Sequence, residues 1–164
     1  MTLNIKYKSL TLEEIESIAE LWEKLRIHHM RKSIHFKRDF HNLTFEERIE
    51  RIKKTVLKNG EIKLVVARDL GARKNVGYII GSIDEEKKGK VDSLFVLKEY
   101  RGEYIGDKLL RRILQWFENE EIEDIKIGVA AGNEEVLDFY KKYDFYPAVT
   151  FLKRRNLNNI NDNS

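Results

Sequence analysis

Three strand-like runs follow one another with no helix between them: "EIKLVVARDL", "NVGYIIGSID" and "GKVDSLFVL". Each is rich in Val, Ile and Leu, and the short turns "GARK" and "EEKKG" separate them. Turns this short join neighbouring strands that reverse direction, so the spacing predicts an antiparallel meander. Any fold for the chain has to be assembled around that sheet.

The flanking segments carry a helical period. "TLEEIESIAELWEKLRIHHM" opens with Thr11 and Glu14 at capping-box spacing, and Leu12, Ile15, Ala19, Trp22 and Leu25 fall on one face. "TFEERIERIKKTVLKNG" repeats the device with Thr44 and Glu47; Phe45, Ile49, Ile52 and Val56 form its face, and Gly60 is expected to end it. "LNIKYKSL" reads as a first strand. Beyond the meander come a loop, the helix "GDKLLRRILQWFENE", the strand "EDIKIGVAAG", the short helix "NEEVLDFYKKYD" and a last strand "FYPAVTFLKRR". The order β-α-α-β-β-β-α-β-α-β implies an α/β fold with a sheet of mixed direction. One domain is expected over residues 1–155, followed by a polar, mobile tail over 156–164, "NLNNINDNS" after Arg155.

Composition narrows the function. A chain of 164 residues, 41% hydrophobic and 36% charged, suits a single soluble domain with a real core. Net charge is +3 from 31 basic and 28 acidic residues, which makes no case for nucleic acid. With no cysteine there is no disulfide, thiol nucleophile or thiolate metal site. The N-terminus "MTLNIKYKSL" lacks the apolar region of a signal peptide, and no apolar run approaches the ~20 residues of a membrane span. A cytoplasmic protein is expected.

The loop "EYRGEYIGDKLL" has the build of an anion site. Gly102 and Gly106 flank Tyr104, Arg101 precedes them, and Lys108, Arg111 and Arg112 lie beyond on the helix. A helix N-terminus offers unpaired N–H groups and partial positive charge to a phosphate. The same residues also suit a plain strand-to-helix turn with surface cations, and neither a Walker loop nor a full G-x-G-x-x-G is present.

Together with the strand "IKIGVAA" and the helix "NEEVLDFYKKYDF", the loop and its helix resemble the GNAT superfamily of acyl-CoA-dependent N-acetyltransferases. The family's pyrophosphate loop, Arg/Gln-x-x-Gly-x-Gly/Ala, is met by Arg101, Ile105 and Gly106, with Tyr104 off the pattern. Its second motif, Asn-x-x-Ala-x-x-Phe-Tyr-x-Lys-x-Gly-Phe, is met by Asn133, Phe139, Tyr140, Lys142 and Phe145, with Val136 and Asp144 departing. The motif region spans residues 91 to 145, in the family's order.

The resemblance implies a mixed, mostly antiparallel sheet of about six to seven strands, helices on both faces, and a central splay that admits acyl-CoA. It implies acetyl-CoA as co-substrate, held by the backbone of Leu94, Phe95 and Val96, by the loop Arg101, Gly102, Glu103, Tyr104, Ile105, Gly106 and Asp107, and by Asn133. Tyr140 matches the family's general acid; Val136, Phe139, Tyr140 and Tyr143 also share a helical face, which is the packing alternative. Asp92 stands where some members carry a carboxylate base, or is a solvated strand residue. Asp144 is expected in a left-handed conformation, which Asp tolerates better than most.

All four histidines, His28, His29, His35 and His41, lie in "RIHHMRKSIHFKRDFHNL", the expected acceptor wall. They lack metal-site spacing, so no metal is expected. The function implied is acetyl transfer to a primary amine of a small molecule. The alternatives are a protein lysine or N-terminal amine as acceptor, or a non-catalytic acyl-CoA-binding regulatory module. Expected partners are acetyl-CoA, an amine acceptor and a second copy in a homodimer, without nucleic acid or membrane.

Overall fold

The computed structural model describes residues 2–156. Among the described residues, 2–25 together with Leu43–Gly128 form one compact unit, and Arg26–Asn42 together with 129–156 form another. The expected tail, from residue 157 on, lies outside the described residues.

The first unit is built on the meander. Strands β1 (Ile5–Leu10), β2 (Glu61–Asp69), β3 (Lys74–Ile83), β4 (Gly89–Val96) and β5 (Ile125–Ile127) lie side by side in that order. The first four pair antiparallel, and β5 joins β4 in parallel. Five strands form among the described residues, where six to seven were expected. Residues 145–156 adopt no regular structure, so the last expected strand is absent from the described residues. Pro147 removes a ladder donor within that stretch. No face of it is buried either: Tyr146, Val149, Phe151 and Leu152 are 66–95% exposed.

Helix α3 (Phe45–Leu57) starts as its capping box requires. The Glu47 amide donates to Thr44 Oγ1 at 3.1 Å, and the Thr44 amide donates to the Glu47 carboxylate at 3.2 Å. Its left-handed terminating residue is Asn59, at φ 61°, rather than Gly60. The first helical segment divides into a 3-10 turn over Leu12–Ile18 and helix α1 (Ala19–Lys32). Helix α2 (Lys37–Asn42) occupies part of the histidine-bearing stretch expected to form the acceptor wall.

Helix α4 (Ile105–Asn119) buries Ile105, Leu109, Leu110, Ile113 and Phe117. A Cβ on Gly81 of β3 would stand 2.8 Å from Ile113 Cγ2, so only glycine lets α4 lie this close. Side chains alternate across a strand. Tyr78 of β3 therefore faces the other way, where the positive charge of Arg48 from α3 reaches its hydroxyl. Helices cover both faces of the sheet, as expected.

In the second unit, α5 (Leu137–Lys141) succeeds a 3-10 turn at Glu134–Val136. Asp144 beyond it adopts φ 62°, the left-handed position expected of it.

Candidate active site

The site begins where β4 parts from β5. Their parallel pairing covers only Gly89–Ile125, Lys90–Lys126 and Val91–Ile127. One residue later the register between β3 and β4 slips: Gly81 faces Val91 but Ile80 faces Ser93. Asp92 is thus the extra residue of a β-bulge, a device that bends a strand and increases its twist. Beyond it, no strand among the described residues covers β4 on the β5 side.

The hydrogen-bond pattern shows what the open edge presents. The Leu97 amide donates to the Val76 carbonyl at 2.9 Å, which makes these two a bonded pair. Antiparallel ladders alternate. Phe95 opposite Tyr78 is then also a bonded pair, while Val96 opposite Gly77 and Leu94 opposite Ile79 are not. The N–H and C=O groups of Leu94 and Val96 therefore point out of the open edge, and those of Phe95 point into the sheet. Arg101 already reaches that edge: its Nε donates to the Val96 carbonyl at 3.0 Å, and its guanidinium lies 5.7 Å from the Phe95 ring.

The loop then delivers a helix N-terminus. The buried Tyr100 hydroxyl donates to Asp69 Oδ2 at 2.9 Å, which anchors the loop's start to the β2–β3 turn. That bond, with the Ala72 and Gly71 amides, holds the Asp69 carboxyl below the usual range. Gly102 takes φ 84°, and Tyr104, the N-cap of α4, takes φ 58° with its side chain 71% exposed. Tyr104 supplies no side-chain cap, in contrast to Thr44 on α3. Arg101, Gly102, Glu103 and Tyr104 are all exposed, while the Ile105 side chain is buried and contributes only backbone here. Two of the expected phosphate cations face elsewhere: Arg112 lies 4.3 Å and Lys108 6.0 Å from the Tyr7 ring of β1. Asp107 places a negative charge in the first turn.

Asp92 is largely shielded from solvent. Its side chain is 10% exposed, Lys90 Nζ stands 3.8 Å from Oδ1, and Oδ2 is buried with no hydrogen-bond partner among the described residues. Beside it the Ser93 hydroxyl and the Tyr78 hydroxyl are 2.7 Å apart.

Asn133 and Tyr140 stand in the second unit. Asn133 is 8% exposed, and its Oδ1 pairs with His28 Nε2 at 3.1 Å. Glu135 adds contacts to His28 at 3.8 Å and Lys32 at 3.2 Å. Tyr140 packs edge-on against Phe139 and Phe145, at 5.2 and 6.3 Å between ring centres. Burial pushes its hydroxyl up to about 12, so it holds its proton at neutral pH. The four histidines are dispersed. His29 stacks on Phe40 at 5.5 Å, His35 meets Phe36 edge-on, and His41 pairs with Asn42. Among the described residues, no group of three or more His, Cys, Asp or Glu is placed to hold a metal. No helix among them is long and apolar enough to cross a membrane.

The model of the acetyltransferase (GNAT) family matches residues 20–145. The chain belongs to that family. No curated protein sequence matches this GNAT chain significantly. Solved structures do. A protein of Pyrococcus furiosus assigned as an acetyl transferase is 23% identical, with a TM-score of 0.66 over 92% of this chain and 100% of that one. A GNAT-family acetyltransferase of Staphylococcus aureus Mu50 is 18% identical, with a TM-score of 0.69 over 93% and 95%. The aminoglycoside N-acetyltransferase AAC(6')-Iy in complex with CoA is 12% identical, with a TM-score of 0.67 over 96% and 97%. These likenesses concern the fold.

Asp92, Leu94 and Val96 lie on β4 of the GNAT sheet, and Arg101 from the following loop reaches its open edge. Arg48, Tyr78 and Ser93, which surround the bulge, escaped the sequence reading. Arg48 left a trace there: it adjoins the apolar face of Phe45, Ile49 and Ile52. Gly132 was also missed. Its φ is 95°, and a Cβ there would stand 2.2 Å from the Lys32 carbonyl.

Proposed function

We propose that this chain is an acetyl-CoA-dependent N-acetyltransferase acting on a primary amine of a small molecule. One observation carries the reading: the open edge of β4 runs into a helix N-terminus that its own N-cap leaves uncapped. An extended amide chain fits such an edge, since Leu94 and Val96 offer a donor and an acceptor each. A pyrophosphate fits the helix N-terminus beyond it. Acetyl-CoA carries both groups in that order.

In this reading an N–H of the open edge polarises the thioester carbonyl as negative charge develops on its oxygen. Asp92 is the base: its Oδ2 has no hydrogen-bond partner among the described residues and serves as the acceptor of an amine proton. Tyr140 is the general acid. A hydroxyl at about 12 donates to a thiolate of ordinary affinity, roughly 8.5 for a thiol, as a hydrogen bond to growing charge rather than as a completed transfer. Asn133, tied to His28, orders the turn that leads to α5. The fold shared with an aminoglycoside N-acetyltransferase supports a small-molecule amine as acceptor. A single transferase domain over residues 1–155, in the cytoplasm, belongs to the same proposal. Size-exclusion chromatography with light scattering decides whether it is a homodimer.

The test is a screen of small amines with acetyl-CoA, read as release of free CoA thiol. Turnover on at least one small amine is expected. Turnover confined to peptides would move the acceptor to a protein amine. Tight acetyl-CoA binding with no acceptor would make the chain a binding module.

A further inference from the structure

A bulged residue leaves the ladder, and its backbone groups need partners elsewhere. At Asp92 that partner comes from another element. Arg48 of α3 donates from Nη2 to the Asp92 carbonyl at 2.8 Å. The capping box fixes where α3 begins, and Phe45, Ile49 and Ile52 are buried around Arg48. The guanidinium is therefore presented from a rigid, packed helix. On the adjoining residue, the Ser93 hydroxyl meets that of Tyr78, whose side chain is fully buried. The bulge is thus held by backbone at Asp92 and by side chain at Ser93. The open edge at Leu94 and Val96 starts one residue further on.

The choice of acceptor matters too. Arg48 bonds the carbonyl of Asp92, and Lys90 stands beside Oδ1, yet Oδ2 keeps no partner among the described residues. The charge that clamps the bulge leaves one carboxylate oxygen available.

We propose that Arg48 is a positioning residue, which clamps the bulge at Asp92 and so aims the Leu94 and Val96 amides and the Asp92 carboxylate. Its ligand, acetyl-CoA, rests on the acetyltransferase reading; the clamp itself does not. An apolar replacement removes the donor and leaves the stem. A lysine replacement restores one charged donor without the planar fork.

Arg48→Met and Arg48→Lys are compared with the wild-type chain in three measurements: hydrogen exchange across β1–β4, acetyl-CoA binding by calorimetry, and melting temperature. In Arg48→Met, exchange should rise at the inward-facing amides within residues 92–96, Phe95 among them, while β1 and β2 stay protected. The acetyl-CoA dissociation constant should rise about tenfold, the scale of one charge-assisted hydrogen bond. Arg48→Lys should stay within about threefold of wild type. Should Arg48→Met not fold, Arg48→Gln carries the same comparison with one neutral donor. Unchanged exchange at those inward-facing amides would overturn the proposal. So would a rise spread evenly over the sheet without rescue by lysine. Local exchange as expected in a chain whose wild type ignores acetyl-CoA would refute the acetyltransferase reading and leave the clamp standing.

Discussion

Tyr104 holds φ 58° and ψ 17°, where a side chain costs roughly 1–2 kcal/mol relative to glycine. Its ring is 71% exposed, so little packing offsets that strain. Tyr104→Gly should raise stability by about 0.5–1 kcal/mol, once the extra freedom of an unfolded glycine is subtracted. Acetyl-CoA affinity should hold or tighten, because the backbone N–H is retained; chemical denaturation and calorimetry check both. A clear loss of affinity would show that the ring itself touches a substrate. Tyr140→Phe removes one hydroxyl and keeps the ring. Turnover should fall about 10²-fold, the lower end for a lost general acid, while acetyl-CoA binding moves little. Steady-state kinetics beside direct binding separates this from a packing role, in which stability and binding would fall together. His29 titrates below its ordinary value because burial, and then His28, disfavour its charged form. Its Nδ1 is buried without a partner among the described residues. The unfolded chain takes up a proton near pH ~6.5 and the folded chain only at lower pH, so stability should decline as pH falls below about 6.5. His29→Phe keeps the stack on Phe40 and should flatten that slope in melting curves between about pH 7 and 5.

Secondary-structure elements were legible wherever period and capping agreed. Thr44 and Glu47 marked the start of α3, and its capping bonds form as written. The meander strands appear within a residue or two of their apolar runs. Elements whose existence depends on neighbours were harder to read. The strand expected over "EDIKIGVAAG" shrank to three residues, because the bulge at Asp92 turns β4 away after Val91. The run after Phe145 had strand composition, but Pro147 and the absence of a buried face left it irregular. Gly132 marks a contact that no local pattern encodes, since its neighbour Lys32 is distant in sequence. Gly132→Ala meets both a positive φ and a backbone carbonyl. It should cost about 2–4 kcal/mol, measurable by urea titration.

For the whole molecule, ligand linkage is the direct check. A ligand that binds only the native chain stabilises it by mass action, about 2.7 kcal/mol at a hundredfold excess over its dissociation constant. For a chain of this size that is a rise of roughly 5–10 °C in melting temperature. A pantetheine thioester without the pyrophosphate should give much less. Equal shifts from both, or none, would remove the anion cradle at α4. By itself the sequence determined the meander and the capped start of α3, consequences of short-range period and residue chemistry, and through its resemblance to the family the two motifs and the left-handed residue at Asp144. It also set the order of elements from β1 to α5 except for helix α2. Tertiary structure alone decided which backbone groups the open edge presents, since that depends on the ladder's phase between β3 and β4. It also decided that Arg101 would turn to the Val96 carbonyl, and that Arg48 would reach the bulge from 44 positions away. Those contacts join residues that neither period nor motif relates, and only the packing of helix on sheet brings them within hydrogen-bond reach.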